Sequence, residues 1–178
     1  MIEEEIKELF AKDLKQGIKL LMDHYQVPLY NHIRRLLVSH EDAQDALQET
    51  FVRVFRSWKT FRGDSSLSTW LYRIATNESL RILNARKNKE NLSDDDLQND
   101  LIGKLKTSEY IDYDDAMAVK FQEAILTLPE KQRLVFSFRY YDELGYEEIA
   151  KILDTKVETL KVNYHYAKEK IKDYILKH

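Results

Sequence analysis

The chain has no cysteine, two prolines and four glycines in 178 residues, and no long apolar run. Without cysteine there is no disulfide framework, thiolate metal site or thiol nucleophile, which fits a reducing cytoplasm. So little Gly and Pro, beside abundant Leu, Ile, Glu and Lys, leaves few breakers among strong helix formers and points to an all-α fold. No apolar stretch approaches the length of a membrane span. The opening MIEEEIKELF is acidic and lacks the basic start and apolar run of a signal peptide. The expectation is a soluble, cytoplasmic protein without membrane insertion. Also missing are a glycine-rich phosphate loop, a nucleophile beside a base and a convergent His/carboxylate cluster. No catalytic residue, no metal site and no cofactor is therefore expected, and the chain does not read as an enzyme. His24, His32 and His40 recur every eight residues, but without acidic or Cys partners they read as surface or satisfied core positions.

The net charge of −3 argues on its face against nucleic acid, yet its distribution argues for it. Residues 53–89 hold nine Lys/Arg against two Asp/Glu, residues 90–117 two Lys against nine acids, and residues 156–178 six Lys against three acids. Two basic blocks flanking an acidic one describe two nucleic-acid-facing modules and a solvated connector. In residues 1–89, Leu9, Leu20, Leu21, Tyr25, Tyr30, Ile33, Leu36 and Leu37 fall at helical spacing. Pro28 is expected to bend or break the early helices, and a new helix to begin near residues 40–42 with Ala46, Leu47, Phe51, Val54 and Phe55 on its buried stripe. Residues 90–117 show scattered Leu and Ile, a DDD run and no sustained period, as expected of a flexible acidic linker with at most one weak helix. Residues 118–178 are helical again, with Pro129 at the first turn of a helix. The expected fold is thus all-α, two small helical domains joined by a flexible acidic linker.

Two segments carry chemistry. Residues 61–77, FRGDSSLSTWLYRIATN, run from a short polar loop into an amphipathic helix with Trp70, Tyr72, Arg73 and Asn77. Stacking rings, guanidinium groups and an amide on one element suit the holding of bases outside a duplex; a capped helix with core aromatics is the alternative. Near the C-terminus, YEEIAKIL, a turn at Asp154, Thr155 and Lys156, and ETLKVNYHYAKEKI have the layout of a helix-turn-helix. Tyr146, Ile149, Ala150 and Leu153 form the first helix's stripe, and Asp154 stands where Gly is usual because Asp tolerates a left-handed backbone. On the second helix Leu160, Tyr164, Ala167, Ile171 and Ile175 share a buried side. Glu158, Lys161, Val162, His165 and Tyr166 share the opposite side near its start, the part that enters a major groove.

With both ends read, the chain resembles bacterial RNA polymerase sigma factors of the extracytoplasmic-function (ECF) group in the sigma-70 superfamily. EDAQDALQETFVRVFRSWKTFRGDSSLSTWLYRIATNESLRIL is similar to the family's region two, and LPEKQRLVF, YEEIAKIL and ETLKVNYHYAKEKI are similar to region four. The resemblance implies three domains of activity: 1–89 for core polymerase and minus-ten DNA, 90–117 as acidic linker, and 118–178 for minus-thirty-five DNA. It implies that Asp45, Gln48, Glu49 and Arg53 dock on core polymerase. It places Phe61, Arg62, Gly63, Asp64, Ser65, Trp70, Tyr72, Arg73 and Asn77 on the opened minus-ten strand, and Lys161, Val162, His165, Tyr166 and Lys168 on the minus-thirty-five duplex. The implied partners are core RNA polymerase, promoter DNA and an anti-sigma factor, with the free protein a monomer. Val162, Asn163 and Tyr166 replace the Ser and Arg common in relatives, and Leu67 a common Phe, which implies a distinctive promoter preference. The competing reading is an autonomous helix-turn-helix transcriptional regulator, which leaves FRGDSSLSTWLYRIATN without a task; a helical interaction protein without DNA contacts is a third.

Overall fold

A computed structural model describes residues 1–107 and 115–178. Among them all regular structure is helical, in the order α1 (Ile2–Lys12), α2 (Leu14–Leu37), α3 (His40–Ser57), a 3-10 turn (Trp58–Thr60), α4 (Leu67–Lys89), α5 (Asp94–Thr107), α6 (Ala116–Leu126), α7 (Glu130–Tyr140), α8 (Tyr146–Leu153) and α9 (Val157–Lys177). No helix among the described residues is long and apolar enough to cross a membrane.

Local sequence places the helix starts. The Asp13 carboxylate accepts the Lys15 and Gln16 amides at 3.1 and 3.4 Å, opening α2 directly after α1. Ser39 accepts the Asp42 amide at 3.3 Å and Ser66 the Thr69 amide at 3.0 Å, capping α3 and α4. Between α2 and α3 the chain reverses at Val38 (φ 66°, ψ −47°), where the Ser39 amide donates to the Leu37 carbonyl at 2.7 Å in a γ-turn.

Pro28 does not break the chain as expected; it lies inside a continuous α2. Leu21, Tyr25, Leu29 and Ile33, at steps of four, are all buried, so packing along that stripe outweighs the amide that proline lacks. The break falls at Asp13 instead. Phe55, expected in the core, is 45 % exposed. Pro129 precedes α7 as its cap residue rather than standing in its first turn.

The acidic connector holds a further difference. Over residues 94–107 the linker forms the one helix allowed for it, α5, but that helix is docked rather than weak and free. Asp94, Asp95 and Asp96 occupy its first turn, where the helix dipole favours negative charge. Leu101 and Leu105 are each 1 % exposed, and burying a leucine contributes about 1.5–3 kcal/mol. Arg86 pairs with Asp100 and Lys87 with Asp94, while Lys104 lies 3.7 Å from Asp42 and Lys106 3.6 Å from Glu123. Glu109, Asp112 and Asp114 of the same connector lie outside the described residues.

The helices before and after this connector share a continuous core. Leu71, Ala75 and Ile33 from the first module belong with Val135, Phe138, Ile149 and Ile152 from the second. A smaller cluster of Ala124, Ile125, Leu128, Phe136, Ala167 and Ile171 sits within the second module.

Candidate nucleic-acid and polymerase surfaces

Three surfaces result, two of them open. The first is a groove of about 790 Å³ between α2 and α3. Ile18, Leu47 and Phe51 form its apolar floor, Met22 and Phe55 stand exposed at 37 % and 45 %, and Asp45 and Gln48 line its rim. Large exposed apolar side chains framed by polar ones mark a protein-docking surface. Glu49 and Arg53 are engaged with each other at 3.7 Å, and Arg53 also pairs with Glu78. Glu78 is 3 % exposed and held from its other side by Arg81 at 3.0 Å, so Arg53 ties α3 to α4.

The second surface is the loop before α4 with the helix that follows. Arg62, Gly63 and Asp64 are exposed, Ser65 is half-buried, and Gly63 takes the left-handed φ of 78°. Trp70 is not a free platform. Its ring lies 4.9 Å from Phe61 and 6.0 Å from Trp58, and Trp58 stacks on Phe10 at 3.8 Å. Phe10 and Trp58 were missed in the sequence because Phe10 belongs to a helix far from the loop, and no local spacing connects them. Trp70, Arg73 and Asn77 share one face at i, i+3 and i+7, whereas Tyr72 lies about 200° around the helix from Trp70. Accordingly Arg73 and Asn77 are exposed while Tyr72 is 7 % exposed and points inward.

Tyr72 faces a buried polar cluster that joins the modules. His32, fully buried, hydrogen-bonds Thr76 at 2.8 Å, stacks on Phe138 at 4.6 Å, and has its Nδ1 3.7 Å from Asp142. Arg35 donates to Asp142 at 2.6 Å and to Ser137 at 3.0 Å, its guanidinium 4.8 Å from the centre of the Tyr141 ring. Burial, and then the Arg35 charge, push His32 down to about 3. Burial raises the Asp142 carboxyl, with Arg35 opposing; burial, then the Asp142 charge, raises the Tyr72 hydroxyl. Next to this cluster, Arg73 donates to the Lys151 carbonyl of α8. A cavity of about 540 Å³ lies between α4 and the second module, with Asn77 and Arg73 on one wall and Asp154, Thr155 and Asn163 on the other.

The third surface is the exposed side of α9. Lys161, Val162, His165, Tyr166 and Lys168 are all exposed, while Leu160, Ala167 and Ile171 are buried against the module. Asp154 ends α8 in the left-handed conformation (φ 50°, ψ 51°), the geometry a helix-turn-helix asks of that position. Within α8 the most buried residues are Ile149 and Ile152, with Leu153 only half-buried, so the stripe is rotated by one residue from the spacing read in sequence. Lys161 reaches over Tyr146 at 5.8 Å and Lys168 over Tyr164 at 4.8 Å, so each ammonium group lies against a tyrosine ring of its own module.

Comparison with known proteins agrees with this geometry. The family described as Sigma-70 region 2 matches residues 21–89, and Sigma-70, region 4 matches residues 118–171. The ECF RNA polymerase sigma-E factor of Haemophilus influenzae is 31 % identical over 168 residues, covering 90 % of this chain and 88 % of the relative. The RNA polymerase sigma-H factor of Pseudomonas aeruginosa is 30 % identical over 176 residues, covering 95 % and 91 %. Among solved structures, CnrH in complex with the cytosolic domain of CnrY superposes with a TM-score of 0.71 at 16 % identity, over 97 % of this chain and 96 % of that one. The sigma factor RpoE in complex with the anti-sigma factor NepR from Bartonella quintana gives 0.65 at 21 % identity, over 93 % and 98 %. With both regions matched and relatives aligned along nearly the whole length, the chain belongs to the ECF group of the sigma-70 family of RNA polymerase sigma factors.

Proposed function

We propose that the protein binds core RNA polymerase and directs promoter-specific initiation, reading the minus-thirty-five element as duplex and the minus-ten element as opened strand. The observation that supports this reading is the pairing, in one chain and in this order, of a capped helix with Trp70, Arg73 and Asn77 on one face and a helix with Lys161, Val162, His165 and Tyr166 exposed. Core polymerase docks on the α2/α3 groove, with Met22 and Phe55 as apolar anchors and Asp45 and Gln48 at the rim. On α9, Lys161 contacts guanine or phosphate, Val162 a thymine methyl, and His165 and Tyr166 base edges, with Lys168 on phosphate. On the first module, residues 61–65 receive an extruded base, and Trp70, Arg73 and Asn77 hold its neighbours; Tyr72, on the opposite side of α4, supports that helix from within. An anti-sigma factor is the third partner, and the protein acts in the cytoplasm as a non-enzymatic factor. Domain limits of 1–89, 90–117 and 118–178 follow this division of labour.

The two DNA-reading faces must separate to work. Elements named minus-ten and minus-thirty-five lie roughly 25 base pairs apart, or ~85 Å at 3.4 Å per pair. A compact chain of this length has a radius of gyration of roughly 16 Å. The test is in-vitro transcription with core polymerase on a library of randomised promoters. Enrichment of a two-element promoter is the expected outcome. Tight duplex binding without polymerase, and no specific initiation with it, would instead favour an autonomous regulator.

A further inference from the structure

The region 2 match begins at residue 21, so α1 lies outside it, yet α1 reaches the base-receiving loop at both ends. At the loop's far end, the Glu3 carboxylate accepts the amide of Leu67, the first residue of α4. That amide is one of the four that a helix start leaves without an intrahelical partner, and Ser66 serves a different one, that of Thr69. At the near end, the Lys7 ammonium lies 5.5 Å from the centre of the Phe61 ring and 3.8 Å from Glu3. Phe10, one turn further along α1, stacks on Trp58, which packs against both Phe61 and Trp70. The middle of the loop has no comparable support. Arg62, Gly63 and Asp64 are exposed, and a Cβ added to Gly63 would meet nothing within 4 Å. The shape of this loop is therefore set from its ends.

We infer that α1 is a positioning element for strand capture, with Glu3 and Lys7 its positioning residues. This rests on the reading of residues 61–77 as the minus-ten strand site. A loop fixed at both ends has already given up conformational freedom before a base arrives, so less affinity is lost on binding. Glu3 acts through an accepted hydrogen bond and needs an acceptor oxygen, and its negative charge at a helix start strengthens that bond.

The experiment uses full-length protein assembled with core polymerase, on a promoter found by the library selection above. Two probes are compared by fluorescence anisotropy: the single non-template strand across minus-ten, and a duplex carrying only minus-thirty-five. Glu3→Ala should weaken strand binding roughly tenfold, the equivalent of one lost capping bond, and leave duplex binding unchanged. Glu3→Gln keeps an acceptor oxygen and should retain most of the strand affinity. Amide exchange at Leu67 should be fast in Glu3→Ala and slow in both wild type and Glu3→Gln. Equal strand binding by Glu3→Ala and wild type overturns the inference, as does a parallel loss on both probes. A wild-type holoenzyme that ignores the strand overturns the strand-capture reading itself, and the inference with it.

Discussion

At the scale of single residues, the two faces proposed to read DNA are separable by substitution because their chemistry differs. Trp70 and Asn77 belong to α4 and Lys161 and Tyr166 to α9, and the tasks proposed for them are successive. Base stacking is worth ~1–3 kcal/mol per base and a good base-edge contact a similar amount. Trp70→Ala or Asn77→Ala should slow promoter opening about tenfold or more with little change in duplex binding. Lys161→Ala or Tyr166→Ala should weaken duplex binding by a similar factor and leave opening of an already bound promoter intact. Permanganate footprinting of opened thymines and anisotropy on duplex separate the two steps, and equal effects on both would contradict the assignment. Lys168, exposed beside the recognition face, carries a further mark: its loss should lower the salt slope of binding by about one, irrespective of sequence. Most of these positions were legible because a stripe of like chemistry at helical spacing survives in any tertiary context. Tyr72 was not, since its neighbours His32, Phe138 and Asp142 come from three other parts of the chain.

At the scale of elements, legibility follows how local the cause is. Ser39, Ser66 and Asp154 mark helix ends through bonds within a few residues, and those boundaries could be read directly. Pro28 misled because a local breaker lost to a buried stripe running the length of α2. In α5, Leu97, Leu101 and Leu105 do stand at steps of four, but acidic flanks hid a stripe whose partners lie elsewhere. Two variants weigh these packings. Leu105→Ala should cost ~2–5 kcal/mol by urea denaturation if α5 is docked as described, and well under 1 if the connector were a free tether. Gly17→Ala probes the crossing of α1 and α2, where a Cβ would come within 2.8 Å of the Phe10 ring and 2.9 Å of its Cα. Backbone cannot yield as a flexible side chain does, so about 1–3 kcal/mol should be lost despite the better helix propensity of alanine. Should Gly17→Ala instead be stabilising, α1 does not pack on α2 at this distance.

At the scale of the whole molecule, the described arrangement holds α4 against the second module, and a small buried polar cluster decides how firmly. Arg35 and Asp142 are 11 % and 7 % exposed, so removing one strands the other's charge away from water at a cost of about 3–5 kcal/mol. Separation of the modules relieves that cost by letting water reach Asp142. Arg35→Ala should therefore expand the free protein, read as a larger radius of gyration in small-angle scattering, without unfolding its helices. The double variant Arg35→Ala, Asp142→Ala should be more compact than either single one, because neither charge is then left unpaired. Acid acts on the same cluster through His32, which faces Thr76, Tyr72, Arg35, Asp142 and Phe138. Its packed value near 3 lies below the ordinary 6.5, so packing favours the neutral ring. The stability it contributes is fully present above pH 6.5 and is lost progressively as pH falls from 6.5 toward 3. At pH 5 the loss is about 2 kcal/mol. Asp142, whose carboxyl is raised by burial, works in the opposite sense, and Arg35 limits how far. The melting temperature should fall between pH 7 and pH 5 in the wild type, and the slope should flatten in His32→Gln. An unchanged slope in that variant would place the acid sensitivity elsewhere in the molecule.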